Sequence, residues 1–338
     1  MSSGIDGITA IIAAYNAQNT IGRAISSALS QKAVAEILVV DDASTDKTTD
    51  AAMYYANNSS KIRLIMKSRN HGPATCRNMA IDLCKTPFFA ILDADDKFLP
   101  DRFDGIKDDG WDFFCDNIIF LPDGTGENVK SLLPSHQIHM ERQLSLDEFL
   151  VSNTGEPDKA GIELGFMKPI VRRSTIKRLG LSYDETLRLG EDYLFYAQAL
   201  ARGARVRLSS GYGYVAHVSN TSLSRCHTTR DLEALTQADD RLIEALSASG
   251  ASAATIGLLR QHRAAIARKI RNRRFLDDRK RFGAFRALAA QARHPRRLAG
   301  IVADILSDRR RHQDVTTQPR SLFDQREFAR RAEYARCS

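Results

Sequence analysis

Short apolar runs alternate with amphipathic segments over the first hundred residues. Four of these runs are rich in aliphatic and β-branched residues, and each ends in polar residues. This pattern predicts buried strands at residues 8–16, 36–42, 62–67 and 87–96.

Helical segments separate these predicted strands. The first begins near Ile21, from which apolar residues recur on one helical face. The second, STDKTTDAAMYYA at residues 44–56, opens with Ser44 and Thr45 as candidate N-caps, and the third, GPATCRNMAIDLC at residues 72–84, follows Gly and Pro. Alternation of this kind predicts an α/β fold, with a mostly parallel central sheet flanked by helices and right-handed crossovers.

Polar side chains occur where the predicted strands end. In parallel sheets, ligands bind beyond the carboxyl ends of the strands, so these residues should gather along one rim. The alternative is that they only cap strands and turns. The residues concerned are Asn16, Asp41, Asp42, Asp93, Asp95 and Asp96.

The segment ILDADDKFLP places three carboxylates within four positions. Ionised groups this close repel one another, so a cation or another partner is expected beside them. Asp93 and Asp95 are two residues apart and would point to one face of a continued strand. Such hard oxygen ligands, with coordination positions left open, suit Mg²⁺ or Mn²⁺ bridging phosphates.

Charge is distributed unevenly along the chain, which has 338 residues, 43% of them apolar, and a formal net charge of +8. Residues 251–338 contain 22 Lys and Arg against 8 Asp and Glu, whereas the remainder contains 27 against 33. Helical spacing at residues 260–275 and 298–306 predicts a basic helical C-terminal region. Three interpretations compete: helices docked on the rest of the fold, an interfacial helix on anionic lipid, and, least favoured, a nucleic-acid surface.

The spacing of the cysteines and the length of the apolar stretches indicate the cellular compartment. The five cysteines are scattered without metal-binding or redox spacing, which favours free thiols in a reducing cytosol. The N-terminal residues lack signal-peptide character, and no apolar stretch reaches membrane-spanning length. We expect a cytoplasmic protein, peripheral on the inner face of the cytoplasmic membrane if the basic region binds lipid.

Four segments together resemble family 2 glycosyltransferases, which are inverting enzymes of the GT-A fold that use nucleotide sugars. They are AAYNAQNTIGRAISSALSQ, EILVVDDASTDKTTD, GPATCRNMAI and ILDADDKFLPDRF, in the family's order and spacing. The chain is also similar to bacterial members that build exopolysaccharide repeat units. The resemblance implies a GT-A domain at 1–227, with a nucleotide-sugar half at 1–104 and an acceptor half at 105–227, before the basic helical region at 228–338.

The resemblance assigns the nucleotide to the first strand ends. It implies that Tyr15, Asp41 and Asp42 hold the nucleobase and ribose, and that Arg77 lies near the nucleotide. An aspartate can accept hydrogen bonds from a base or ribose, and an aromatic ring can stack on the base. The alternatives are that Tyr15 packs on the core and that Arg77 is a solvated charge on a helix face.

The resemblance also implies a divalent-cation site. Asp93 and Asp95 would bind the ribose and the cation on the diphosphate, with Asp96 sharing the metal. A later segment, GYGYVAHVSNTSLSRCH, resembles a loop that closes over the diphosphate, and its candidates are His217, Ser222, Ser224 and Arg225. His217 could complete the metal shell, although a buried histidine with a satisfied hydrogen bond is the alternative.

Glu191 and Asp192 precede a helix in LRLGEDYLFYAQALARG. The resemblance implies that Asp192 is the general base and that Glu191 supports it, in a single displacement with inversion. Acids in a first helical turn are also favoured by the helix dipole alone.

The sequence therefore predicts an inverting, Mg²⁺- or Mn²⁺-dependent hexosyltransferase. By analogy, the donor would be UDP-glucose or another UDP-hexose, and the acceptor a lipid-linked saccharide or an oligosaccharide of exopolysaccharide biosynthesis. Two alternatives remain. A sugar nucleotidyltransferase usually has an early glycine-rich loop, which this chain lacks, and a non-catalytic nucleotide-binding module would not need Asp192.

Overall fold

The computed structural model describes residues 4–122, 133, 140–154, 163–218, 228–283 and 319–323. Its first half alternates strands and helices as the apolar pattern predicts. These elements are β1 Ile8–Ala14, α1 Ile21–Leu29, β2 Val34–Asp41, α2 Thr48–Asn58, β3 Ile62–Met66, α3 Pro73–Leu83 and β4 Phe88–Ile91.

These four strands pair in parallel in the order β3-β2-β1-β4. Apolar side chains on both faces of β1 and β2 are buried, because α1, α2 and α3 cover the sheet. The prediction of a parallel sheet with helical crossovers is confirmed for this half of the chain.

The second half makes the sheet mixed. Its strands are β5 Lys97–Phe98, β6 Phe113–Pro122, β7 Glu141–Leu144, β8 Ile170–Arg172, β9 Val206–Val218 and β10 Arg320–Ser321, and its helices are α4 Leu146–Asn153, α5 Arg173–Leu179 and α6 Glu191–Ala201. After β4 the sheet continues as β8-β6-β9-β5, and β8 runs antiparallel to both β4 and β6. The short strands β7 and β10 pair antiparallel with β9 and β6, respectively.

The start of α2 differs from the sequence prediction. Ser44 and Thr45 do not cap this helix, which begins at Thr48 without a side-chain cap. The Ser44 hydroxyl instead donates to Asp41, and the Thr45 amide donates to Asn16 Oδ1 at 2.9 Å. Ser44 and Thr45 therefore connect the loops that follow β1 and β2, and neither caps the N-terminus of α2.

Two long helices follow: α7 Thr229–Ala248 and α8 Ala253–Phe282. Thr228 and Asp231 form a capping box that fixes the start of α7. The two helices pack on each other, with α8 against α4 and α7 against α6. The predicted helix at residues 260–275 is therefore confirmed, whereas the one at residues 298–306 lies outside the described residues.

None of the helices in the described ranges is long and apolar enough to cross a bilayer. Cys76, Cys84 and Cys115 are buried free thiols, as predicted. The other two cysteines lie outside the described residues.

Candidate active site

The carboxyl ends of β1, β2 and β4 form the predicted rim. Tyr15 follows β1, and 47% of its surface is exposed, so the alternative that it packs in the core is wrong. An exposed ring at this edge is accessible to a ligand. Asp41 ends β2, Asp42 follows it, and Asp93 comes two residues after the end of β4.

Asp41 and Asp42 hold neighbouring loops. The Asp42 carboxylate lies 2.8 Å from Lys67 Nζ, and it accepts backbone hydrogen bonds from His71 and from Gly72, the latter at 2.7 Å. Burial alone would raise the pKa of Asp42, but the Lys67 cation and these two N–H groups outweigh it and lower the pKa. Asp41 accepts from the side chains of Ser44 and Thr49. The predicted roles of Asp41 and Asp42 toward a nucleobase and ribose stay predictions.

Arg77 contributes the central cation of the site. It lies on the buried face of α3, so the alternative of a solvated helix-face charge is wrong. Its Nη1 lies 3.0 Å from Glu191 Oε1 and 2.9 Å from Asp192 Oδ1, and its Nη2 lies 2.8 Å from Asp93 Oδ1. Arg77 therefore joins the turn at residues 93–96, which we call the DADD turn, to the first turn of α6. Its predicted position near a nucleotide is not tested by these contacts.

Lys168 is a second buried cation, and the sequence reasoning missed it. Its Nζ lies 2.8 Å from Asp93 Oδ2 and 2.9 Å from Asp192 Oδ2. We call the resulting group the charge cluster. It contains two cations and three carboxylates, namely Arg77, Lys168, Asp93, Glu191 and Asp192.

The charge cluster controls the protonation of its members. Burial would raise the pKa of Asp93, yet Lys168 and Arg77 lower it well below its usual range. Burial would lower the pKa of Lys168, but Asp192 and Asp93 raise it. Burial, followed by the neighbouring Asp192 charge, raises the pKa of Glu191. Asp93 and Lys168 are consequently held as an ion pair, whereas Glu191 retains a proton more readily than an exposed glutamate does.

The DADD turn contains two differently placed acids besides Asp93. Asp96 is buried, and its two oxygens accept hydrogen bonds at 2.8 Å from the Tyr214 hydroxyl and from the His217 amide. Within the described residues, no side chain donates to the Asp95 carboxylate, while Arg23 holds its main-chain oxygen. Burial and the nearby Asp93 raise the pKa of Asp95. Asp95 is thus an acid of this turn whose carboxylate has no described donor, and an external cation would stabilise its charged form.

A divalent cation fits this turn only together with further ligands. In the described part of the chain, no three His, Cys, Asp or Glu side chains are arranged to hold a metal ion. The predicted set of Asp93, Asp95, Asp96 and His217 is therefore not preassembled, because ion pairs and hydrogen bonds occupy Asp93 and Asp96. Mg²⁺ and Mn²⁺ can bind at such a site, since they are often coordinated by one or two carboxylates together with phosphate oxygens of a bound substrate.

His217 has an unused ring nitrogen next to this turn. Among the residues that the structure describes, its buried Nδ1 has no hydrogen-bond partner, so the alternative of a satisfied buried histidine does not hold for that atom there. Burial first, and then the Arg23 and Lys97 charges, lower the pKa of His217 to about 4, so the ring is neutral near pH 7. A neutral ring can bind a metal, and this role stays a prediction. The other candidates of this segment, Ser222, Ser224 and Arg225, lie outside the described residues.

Comparison with known proteins places this geometry in a family. Residues 9–173 match the model for glycosyl transferase family 2. The chain is 37% identical over 300 residues to the succinoglycan biosynthesis protein ExoU of Rhizobium meliloti (strain 1021), covering 88% of this chain and 86% of that protein.

Solved structures show the same fold at lower sequence identity. TarS 1–349 of S. aureus, in complex with UDP-GlcNAc, superposes with a TM-score of 0.55 at 20% identity, covering 81% of this chain and 74% of that one. The mannosyltransferase PcManGT of Pyrobaculum calidifontis, in complex with GDP-Man and Mn²⁺, gives a TM-score of 0.51 at 15% identity, covering 90% and 87%. The match to the family model and the 37% identity to a relative aligned over 86% of its length establish that this chain belongs to glycosyltransferase family 2 and has the GT-A fold.

Proposed function

We propose that this protein is an inverting hexosyltransferase that uses a UDP-sugar, UDP-glucose or another UDP-hexose, in exopolysaccharide biosynthesis. Its acceptor would be a lipid-linked saccharide or an oligosaccharide. The observation that carries the proposal is the charge cluster, because Arg77 and Lys168 join Asp93 of the DADD turn to Asp192 at the start of α6. The succinoglycan role named for ExoU and the UDP-GlcNAc complex of TarS support this donor and pathway.

Asp192 is suited to remove the acceptor proton. Each of its oxygens contacts one cation, Arg77 or Lys168, so each retains a lone pair for a substrate hydroxyl. As the hydroxyl attacks the anomeric carbon, Asp192 accepts its proton, while both cations hold the carboxylate in place. Glu191 shares Arg77 and so orients the same turn. One displacement inverts the anomeric centre and needs no carboxylate nucleophile.

The donor would lie along the rim. The exposed ring of Tyr15 can stack on the nucleobase, and Asp93 is held in place by Arg77 and Lys168. Asp95 would hold a divalent cation, with His217 as a further candidate ligand. When bound, such a cation stabilises the negative charge that develops on the departing diphosphate. The Mn²⁺ complex of PcManGT supports this choice of cofactor, and Mg²⁺ has the same ligand chemistry.

A donor screen tests the proposal directly. Thermal-shift measurements with UDP-, GDP- and dTDP-sugars, each with Mg²⁺ or Mn²⁺, should show stabilisation by UDP-sugars that depends on the cation. Transfer is then measured as UDP release on addition of a saccharide acceptor. Incubation with UTP and a sugar 1-phosphate tests the nucleotidyltransferase alternative, and pyrophosphate release there, without sugar transfer, would contradict our proposal.

Replacing Asp95 by Ala should weaken Mn²⁺-dependent binding of UDP. We expect a loss of at least about tenfold, the lower range seen when groups around a bound metal are removed. Affinity without Mn²⁺ should change little, because no described side chain donates a hydrogen bond to the Asp95 carboxylate. Calorimetry with UDP in the presence and absence of Mn²⁺ measures both affinities.

Asp104→Ala is the matched control, since this exposed aspartate follows the same turn and, within the described part of the chain, its carboxylate pairs only with the exposed Lys32. It should bind UDP as the wild type does. An Asp95→Ala protein with wild-type affinity in Mn²⁺ would remove Asp95 from the cation site.

The exposed cations of α8 make a membrane surface a reasonable partner. Arg260, Arg268 and Lys269 are exposed on this helix, and a lipid-linked acceptor would be reached from the bilayer surface. Each cation near an anionic surface contributes about 1 kcal/mol. The full chain should therefore float with vesicles containing phosphatidylglycerol and not with neutral vesicles, and replacing these three residues by Gln should reduce recovery.

The matched control replaces three exposed lysines outside α7 and α8 by Gln, namely Lys47, Lys85 and Lys177. It removes the same charge from elsewhere and should still float. Equal recovery of the α8 variant and the wild type would exclude these residues as a lipid contact.

A further inference from the structure

The helix pair α7–α8 lies directly on the turn that carries Glu191 and Asp192. Gly190 is the N-cap of α6 and has φ +76°, a conformation that favours glycine. A Cβ atom at Gly190 would lie 2.8 Å and 3.0 Å from the two terminal methyl carbons of Leu235 in α7. Leu235 thus occupies the space above this turn, and its contact with the main chain leaves no room for a side chain.

An aspartate interrupts the buried apolar face of α7. Asp239 is fully buried among leucine and alanine residues of that face. Its Oδ2 lies 2.8 Å from Nδ1 of the buried His262 in α8, and its Oδ1 lies 3.4 Å from the Tyr193 hydroxyl in α6. A buried carboxylate is costly unless it is partnered, so this position favours one arrangement of α6, α7 and α8 over packings that would separate them.

Tyr193 is also held on both faces of its ring. It stacks on His262 with ring centroids 4.1 Å apart and on Phe149 of α4 at 5.7 Å. Tyr193 directly follows Asp192 in the chain, so a fixed ring fixes the main chain that bears the carboxylate. Helices α4, α7 and α8 therefore all constrain the same turn, whose side chains face Arg77 and Lys168 on its other side.

We propose that α7 and α8 are positioning elements of the transfer reaction. Leu235 against Gly190, and the Asp239–His262 pair against Tyr193, hold the turn of α6 in the geometry that Asp192 needs. This inference rests on the proposed role of Asp192 as the general base. It gives the C-terminal helices a function in catalysis that is separate from any contact with a membrane.

Asp239→Asn tests the proposal with little change of shape. A small misplacement of a catalytic group can cost about 100-fold in rate, so we expect kcat for sugar transfer to fall at least about tenfold. The KM for the donor and the calorimetric affinity for UDP should stay within about twofold, because the donor residues lie on other elements. The matched control is Asp240→Asn, in which the adjacent, half-exposed aspartate loses its pairing with Arg263 on the same two helices, and its kcat should be that of the wild type.

Hydrogen–deuterium exchange of the full chain supplies a readout that needs no substrate. Amides of residues 190–195 should exchange faster in Asp239→Asn and not in Asp240→Asn. A folded Asp239→Asn protein with wild-type kcat and unchanged exchange would overturn the inference. So would an equal loss of kcat and UDP affinity, which indicates a general structural effect. An inactive wild type would instead refute the proposed function and leave the exchange result as the test of positioning.

A second pair of variants covers the case in which Asp239→Asn does not fold. Gly190→Ala should lower kcat because its Cβ meets Leu235, and adding Leu235→Ala should restore part of the loss by removing the contacted methyl groups. If the double variant is as impaired as the product of the two single effects, the contact between Leu235 and Gly190 does not position the turn.

Discussion

Asp192→Asn should abolish sugar transfer while leaving UDP binding almost intact. General-base catalysis contributes about 10²- to 10⁴-fold, and the amide cannot accept the acceptor proton. The substitution keeps the size of the side chain, and one oxygen remains for Arg77 or Lys168. We therefore expect kcat to fall by about three orders of magnitude, measured as UDP release with donor and acceptor, with calorimetric UDP affinity within a few fold of the wild type.

Glu191→Gln is the matched control for this prediction. Glu191 shares Arg77 with Asp192, so its loss should perturb orientation and reduce kcat far less than loss of the base. A folded Asp192→Asn protein that retains turnover would remove Asp192 as the base. If Glu191→Gln were the more damaging of the two, the roles assigned to the adjacent acids would be reversed.

Arg77→Met should destabilise the protein more than any other single substitution in the charge cluster. It leaves Asp93, Glu191 and Asp192 with Lys168 as their remaining cation within the charge cluster. Removing one partner of a buried ion pair typically costs about 3–5 kcal/mol, a large share of the 5–15 kcal/mol that stabilises a typical domain. Urea unfolding should show this loss in the free energy of unfolding, together with loss of transfer.

The control for Arg77→Met is Arg263→Met, which removes a half-exposed arginine paired with the half-exposed Asp240. Surface pairs of this kind contribute about 0–1 kcal/mol, so its unfolding midpoint should change little. An Arg77→Met protein as stable as the wild type would mean that the carboxylates are compensated by groups other than Arg77. Lys168 would then be the main cation that compensates the carboxylates of the charge cluster.

The parallel half of the sheet could be predicted because each of its strands is specified by residues that are adjacent in the sequence. Each strand from β1 to β4 is a short apolar run; β1, β2 and β4 are largely buried, β3 at the edge is only partly buried, and each run ends in or is closely followed by a polar residue. The antiparallel insertion of β8 between β4 and β6 could not be predicted, since three residues, Ile170–Arg172, carry no pattern that specifies their neighbours. Strand order there depends on long-range packing.

The acids of the candidate site were predictable, and their partners were not. Asp93 and Asp192 stand at a strand end and a helix start, where sequence pattern and family resemblance both point to them. Lys168 lies in FMKPI, a segment without a motif, and only the folded chain shows that its amine is buried between those two acids. For the same reason, the sequence could not distinguish a solvated Arg77 from a buried one, nor place Asp239 against Tyr193.

A crystal structure of the full chain with UDP and Mn²⁺ would locate the donor relative to the charge cluster. We expect the uracil ring to lie against Tyr15, the diphosphate and Mn²⁺ to lie at Asp95, and Asp192 to face the position of the transferred sugar across the charge cluster. Nucleotide bound elsewhere, with Asp95 contacting neither the metal nor the diphosphate, would contradict this expectation.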